Sequence, residues 1–346
     1  MKQEFIEKHL ELSFLERFMQ ILPVIIHVNA FSLLPLIVLV CGPVILLKLN
    51  SFGHLVVVIY FIYIHFDNAT RVSTKNGQGL IFLIRSSLSN YVKQYYFPIE
   101  LIKTADLKAD RNYLFASFPH GITCIGVTSN MSQMNAEFLK LFPGIQPKIA
   151  TLNVFFWIPF VRELLISRGL VPCSKHSVTN ILSRKNDRNS NDKINDGFTA
   201  NALAIMVGGI KEFFETSPGI YCLRLLNRKG FVKIAIQTGS PIVPTFTFGE
   251  VDVFDQVQLP SNVLIKISTY LSLVYVLLKC FLVNIPKRQR LVQVVGMPIE
   301  VQKQHNPSPE LVDEIHQKVI DSLQQIFHTY KHKYLANADT VKLIIK

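Results

Sequence analysis

Charge is scarce in this chain: 17% of the residues are Asp, Glu, Lys or Arg, against about 25% in an average soluble domain. Acidic residues are the scarcer sign, 24 against 36 Lys and Arg, which leaves a net charge of +12 over 346 residues. With 49% apolar residues, a mainly disordered state is excluded, because water does not tolerate that much exposed hydrocarbon. The cation excess suits an anionic partner, namely a membrane surface, a nucleic acid or a phosphorylated substrate. Nucleic acid is the poorest of these, since the basic residues are dispersed and no aromatic stacking surface interleaves with them. Cysteine is sparse too. Cys41, Cys124, Cys173, Cys222 and Cys280 include no C-x-x-C pair, which excludes a paired-cysteine zinc site and predicts reduced, buried thiols. Also missing are a Gly-x-Ser-x-Gly elbow, a P-loop and a dinucleotide-binding glycine fingerprint, so lipase and nucleotide-fold chemistries are set aside. No basic leader precedes the first apolar run and no small-residue cleavage site follows it, so no removable signal peptide is expected.

Long uncharged runs are what the chain does have. Ile21 to Leu47 holds no charged side chain, Lys48 interrupts, and Leu49 to Phe66 is again uncharged apart from histidine. Each run approaches the ~20 residues that cross a bilayer, so residues 21–66 read as a membrane hairpin with helices near 30–47 and 49–66. Residues 1–20 form its N-terminal flank. Arg71, Lys75 and Arg85 beyond the hairpin put both flanks on the cytosolic side by the positive-inside rule. Bare sequons at Asn68 and Asn130 would agree. Val263 to Ile285 carries Lys266 and Lys279, which favours an interfacial helix or channel wall over a span.

Residues 67–111 read as linker and amphipathic helices, and residues 112–346 as the main domain. Short apolar runs at 113–117, 202–207, 242–248 and 291–295 alternate with amphipathic stretches, which predicts an α/β fold around a buried sheet. Arg184 to Gly197 reads as an exposed loop, and Pro307 to Tyr334 as one amphipathic helix.

Three constellations could carry chemistry. Pro119-His120-Gly121 follows the 113–117 strand, where a tight turn presents an imidazole able to act as general base and glycine admits substrate to the backbone. The bland reading is a structural histidine. Gly208-Gly209 after the 202–207 strand could turn backbone N–H groups toward a ligand, with Glu212 orienting an imidazole or a hydroxyl, or could be a plain strand-to-helix turn. Arg224, Arg228, Lys229 and Lys233 surround a helix start suited to phosphates, or form a solvated face. His316 and Asp321 have His-x-x-x-x-Asp spacing, but about 140° separates them around a helix and rules that pair out.

Taken together, Tyr96-Phe97-Pro98-Ile99, Arg111-Asn112-Tyr113, Pro119-His120-Gly121, Phe142-Pro143-Gly144, Arg162-Glu163, Val207-Gly208-Gly209 with Glu212, Asn227 to Lys233, Val243-Pro244, Phe248-Gly249-Glu250 and Val295-Gly296 with Pro298-Ile299 resemble the type-2 diacylglycerol acyltransferase family. That family includes monoacylglycerol and wax-ester acyltransferases. The resemblance runs from the hairpin almost to the C-terminus. It implies a membrane-embedded hairpin, then a glycerolipid-acyltransferase-like α/β domain with a central mixed sheet, at the endoplasmic reticulum and lipid-droplet surface with a cytosolic-facing active site. It implies acyl transfer from acyl-CoA to a diacylglycerol or related lipid hydroxyl, with His120 as catalytic base. Pro119, Gly121, Gly208 and Gly209 would then form the substrate and oxyanion loop, Glu212 would be catalytic alongside His120, and Arg228, Lys229 and Lys233 would hold CoA phosphates. Acyl-CoA is a co-substrate; no cofactor or metal is expected, and a homo-oligomer is left open. Phe118 stands where most members carry histidine, residues 184–197 are longer than usual, and residues 252–290 lack the family's Gly-Arg-Gly stretch. Phe118 motivates a rival reading, a non-catalytic paralogue that binds lipid or another acyltransferase; a wax-ester enzyme is a further alternative.

Overall fold

The computed structural model describes residues 33–66, 99–132, 136–184, 198–254 and 286–346, with residues 13–16, 18, 21, 22 and 24. The 67–79 linker with Asn68, the Tyr96-Phe97-Pro98 motif, residues 185–197, Val263–Ile285 and Cys280 lie outside the described residues, as does most of the 1–20 flank.

Two helices, α1 (Leu33–Lys48) and α2 (Ser51–Phe66), are joined at Leu49-Asn50. Then follow β1 (Ile99–Lys103), β2 (Tyr113–Phe118), α3 (Ile125–Asn130), α4 (Ala136–Leu141), β3 (Ile145–Thr151), α5 (Val161–Ser167), β4 (Leu170–Pro172), α6 (Lys175–Ser183), β5 (Ala200–Met206), α7 (Gly209–Glu215), β6 (Tyr221–Leu223), α8 (Gly230–Thr238), β7 (Ile242–Phe248), β8 (Leu291–Val295), α9 (Pro309–Tyr334) and β9 (Leu343–Ile345). The main sheet has the order β1-β8-β7-β2-β5-β3-β4. Strands β7, β2, β5, β3 and β4 are mutually parallel, and β8 turns the sheet antiparallel against β7. The expected mixed α/β sheet is therefore present.

Alternation along β2 shows how the core is divided. Leu114, Ala116 and Phe118 enter one cluster with α6, α8 and α9, whereas Tyr113 and Phe115 enter the other with α4 and α5. A strand covered on both faces reads as a nearly continuous apolar run; every residue of β2 is buried, and the hydroxyl of its one polar residue, Ser117, accepts from Thr245 at 2.7 Å. Phe118 is thus a core residue of the first cluster. Ser308 caps α9 by accepting the Leu311 N–H at 3.2 Å, and Pro309 sits in the first turn, where its missing donor costs nothing. The α9 side chains Val319, Leu323 and Phe327 close the first cluster.

Several expectations need correction. β1 lies inside the segment read as linker and amphipathic helices, because one five-residue run after a proline carries little periodic signal. Of the hairpin helices, each has 16 residues, about 24 Å of helix against a ~30 Å hydrocarbon core. Among the described residues no helix is long and apolar enough to cross a membrane. The membrane hairpin is thus unconfirmed, and the helix pair contacts α5 through α2: the Tyr60 hydroxyl donates to Glu163 Oε1 at 2.7 Å and the Arg162 guanidinium lies 5.7 Å from the Tyr63 ring centre. Most of its other large apolar side chains, Val40, Leu47, Phe52 and Phe66 among them, are exposed. Cys124 and Cys222 are buried free thiols, but Cys41 and Cys173 are exposed; apolar neighbours in sequence do not guarantee a covered face.

Candidate active site

The chemistry-bearing turns meet at the carboxyl ends of the parallel strands, where ligands of open α/β sheets sit. β2 delivers Pro119, His120 and Gly121, β5 delivers Gly208, Gly209 and Glu212, and β7 delivers Glu250. A chamber of about 180 Å³ opens between the first two of these turns and the ends of β3 and β4. Ile149, Leu152, Phe155, Met206, Ile210 and Phe213 make most of its wall apolar. His120 lies on the wall with its ring edge-on to Phe213.

Two buried carboxylates hold this loop. Glu212 Oε1 accepts the backbone N–H of His120 at 2.5 Å and Oε2 accepts that of Arg224 at 3.0 Å. A Cβ on Gly208 would overlap the Glu212 carboxylate, so glycine there is what admits it. Glu250 accepts the N–H groups of Ile125 and Gly126 at 2.7 and 2.8 Å, fixing the start of α3. Gly121 has φ +60°, and a Cβ on it would come within 2.6 Å of Glu250 Cγ. Burial pushes both carboxyls up to about 7, against the pull of their backbone donors.

His120 Nδ1 lies 3.0 Å from the Gly121 carbonyl and 3.4 Å from Cys124 Sγ. A carbonyl oxygen only accepts, so Nδ1 carries the proton and Nε2 the lone pair. Burial holds the imidazole below the ordinary histidine range, which keeps the ring neutral and basic at neutral pH. The sequence assigned Glu212 to orienting an imidazole or a substrate hydroxyl; here it grips the backbone of the histidine, not its ring. A carboxylate's partner across 92 residues is invisible to local spacing. The role of Glu250, 125 residues from its partner, was missed for the same reason, although Phe248-Gly249-Glu250 stood in the motif set.

Gly209 lines the chamber with φ +57° and open space where a Cβ would sit. Arg228 and Lys233 are exposed, and Lys229 pairs with Asp313 of α9 at 2.6 Å. Arg228 is near enough to Glu212 for its charge to favour the carboxylate. The rejected pair stays rejected: His316 Nε2 meets the Leu225 carbonyl at 3.0 Å, and Asp321 accepts from Gln317 at 2.8 Å. Phe118 is not part of the chamber wall. Among the described residues no three His, Cys, Asp or Glu side chains converge on a metal position.

The family described as Diacylglycerol acyltransferase matches residues 46–346. The 2-acylglycerol O-acyltransferase 1 of Mus musculus is 33% identical over 86% of this chain and 88% of its own length. Acyl-CoA wax alcohol acyltransferase 1 of Mus musculus is 32% identical over 83% of this chain and 85% of its own. Among solved structures, the 1-acyl-sn-glycerophosphate (LPA) acyltransferase PlsC of Thermotoga maritima is similar at a TM-score of 0.39 and 13% identity, over 80% of this chain and 98% of that one. That likeness is too remote to bear on function.

Proposed function

Because the chain belongs to the diacylglycerol acyltransferase family, we propose that it transfers a fatty acyl group from acyl-CoA to the free hydroxyl of a mono- or diacylglycerol. The observation that carries this reading is a neutral imidazole on the wall of an apolar chamber, with its Nδ1 proton committed to the Gly121 carbonyl. In the proposed step, Nε2 takes the acceptor's hydroxyl proton as that oxygen attacks the thioester carbonyl carbon. The tetrahedral oxyanion is met by backbone N–H groups of the Gly208-Gly209 turn, where glycine leaves room for close approach. Collapse breaks the carbon–sulfur bond, and the departing CoA thiolate receives the proton from His120. Nothing in this sequence calls for a metal or a prosthetic group.

Glu212 and Glu250 are positioning residues in this scheme: they fix the loop and do not touch substrate. Arg228 and Lys233 are exposed cations available to CoA phosphates, with Lys229 joining if its pair with Asp313 opens. Leu152, Val154, Trp157 and Phe160 are exposed apolar side chains between the chamber and α5, the helix that holds the hairpin. They supply an apolar path by which a water-insoluble acceptor reaches His120. The same continuity supports work at a lipid surface, with the endoplasmic reticulum membrane as the site and the hairpin as anchor.

The test is an acceptor panel in microsomes expressing the chain, supplied with labelled acyl-CoA. Neutral-lipid product from mono- or diacylglycerol above the empty-vector level is expected. No product from any acyl acceptor would leave only the lipid-binding paralogue reading.

A further inference from the structure

Leu152 to Phe160 reads Leu-Asn-Val-Phe-Phe-Trp-Ile-Pro-Phe, with no charged side chain and four aromatic ones. Connections between strands and helices are ordinarily built from Ser, Thr, Asn, Asp, Gly and Pro. A 3₁₀ turn, Asn153–Trp157, divides these side chains between two faces. Phe155, Phe156 and Ile158 are buried in the core cluster under α4 and α5, and Phe155 also forms chamber wall. Val154 and Trp157, three residues apart and so one above the other on such a turn, are exposed together with Leu152 and Phe160. The inward face anchors the turn, and the outward face is left in water. Phe160 is the extreme case, 73% exposed at φ +65°, a backbone conformation that bulky side chains rarely adopt. Asparagine would suit both that backbone and water better.

The surroundings of this patch identify what covers it. Leu152 belongs both to the chamber wall and to the exposed face, so the patch borders the chamber. At its other end the Tyr60 hydroxyl of α2 accepts from the Phe160 backbone, and α2 itself carries Ile59, Ile62 and Tyr63 exposed. A protein partner is met by an apolar centre with a polar rim, which nine uncharged residues do not supply. The boundary between headgroups and acyl chains takes uncharged aromatic side chains, tryptophan above all. We propose that Leu152, Val154, Trp157 and Phe160 insert into that boundary of a phospholipid surface, a membrane contact separate from the hairpin, and bring the edge of the chamber onto the lipid. A glyceride acceptor then passes from lipid to His120 without crossing water. The insertion stands by itself; the acceptor route rests on the acyltransferase reading above.

Trp157 is the chain's sole tryptophan, so intrinsic fluorescence reads this surface alone. The full-length chain is reconstituted into phosphatidylcholine vesicles, plain or carrying acyl chains brominated either just below the headgroups or near the bilayer centre. Blue-shifted emission, shielding from aqueous iodide and stronger quenching by the shallow bromines than by the deep ones are expected. Salt should leave all three unchanged, because the patch is uncharged. Emission open to iodide and untouched by either brominated lipid would overturn the proposal. Shielding from iodide without quenching by bromine would also overturn it, since Trp157 would then lie against a second copy or another part of the chain. Phe160→Asn removes the ring and relaxes the backbone, so it should melt no lower than wild type while weakening the bromine quenching. Its kcat/KM for a long-chain diacylglycerol in vesicles, relative to a short-chain one dissolved in water, is expected to fall about 10-fold, the worth of one partly inserted aromatic side chain. An unchanged ratio would overturn the acceptor route. A wild type that is quenched but acylates neither acceptor would uphold the insertion and defeat the acyltransferase reading instead.

Discussion

His120 and the two carboxylates that hold its loop set the behaviour expected of single residues. Burial lowers the imidazole's pKa, so the ring stays an unprotonated base further into acid than a free histidine near 6.5. Log kcat/KM is therefore expected to be level from pH 8 down to about 6.5 and to fall only below that, in a profile taken where chemistry limits the rate. An acid limb centred above 7 would contradict the assignment. Glu212 and Glu250 are shifted the other way, to about 7. The folded chain takes up protons that the unfolded chain releases near 4.5, so this contribution to stability is complete at low pH and is lost as pH rises through 7. Thermal melts should show less loss of stability between pH 5.5 and 8 in Glu250→Gln than in wild type. Removing the carboxyl group outright in Glu250→Ala strands two buried N–H donors and should cost about 2 kcal/mol or more, read by chemical denaturation. Pro119-His120-Gly121 was legible in the sequence because turn chemistry is local. That Glu212 holds His120 and Glu250 holds Ile125 was not, because 92 and 125 residues separate these partners.

Elements were legible to the degree that burial left a periodic trace. β2, β5, β7 and β8 announce themselves as apolar runs because neighbours cover both faces, and α9 through its helical stripe over 26 residues. β3 escaped notice because Gln146, Pro147 and Lys148 interrupt it. Three-residue strands such as β4, β6 and β9 are too short for any period to register. α9 closes the core under the strands that carry the active loops, so damage there should appear as lost stability. Leu323, fully buried in the first cluster, should cost about 2–5 kcal/mol as Leu323→Ala, measured by denaturant unfolding. Activity per folded molecule should change little, since the residue is not part of the chamber wall.

At the scale of the whole molecule, exposed apolar side chains of the hairpin and a net charge of +12 point the same way, toward an anionic lipid surface. Flotation with vesicles should be stronger with anionic lipid and weaken with salt, and should fall sharply when Leu47, Phe52 and Phe66 are all changed to Ser. The sequon at Asn130 is a poor reporter of which side the domain faces. Asn130 is fully buried in α3, so folding alone keeps it bare; protease protection of intact microsomes is the better probe. The account stands or falls on the imidazole where the sheet's carboxyl edge meets the apolar chamber. Its most direct test is kcat/KM for acyl transfer by wild type and His120→Ala, purified into lipid bilayers and matched for thermal melting. A general base is worth about 10²- to 10⁴-fold, and a loss of that size with an unchanged melt is expected. A variant that folds and retains activity within a few-fold of wild type would contradict it.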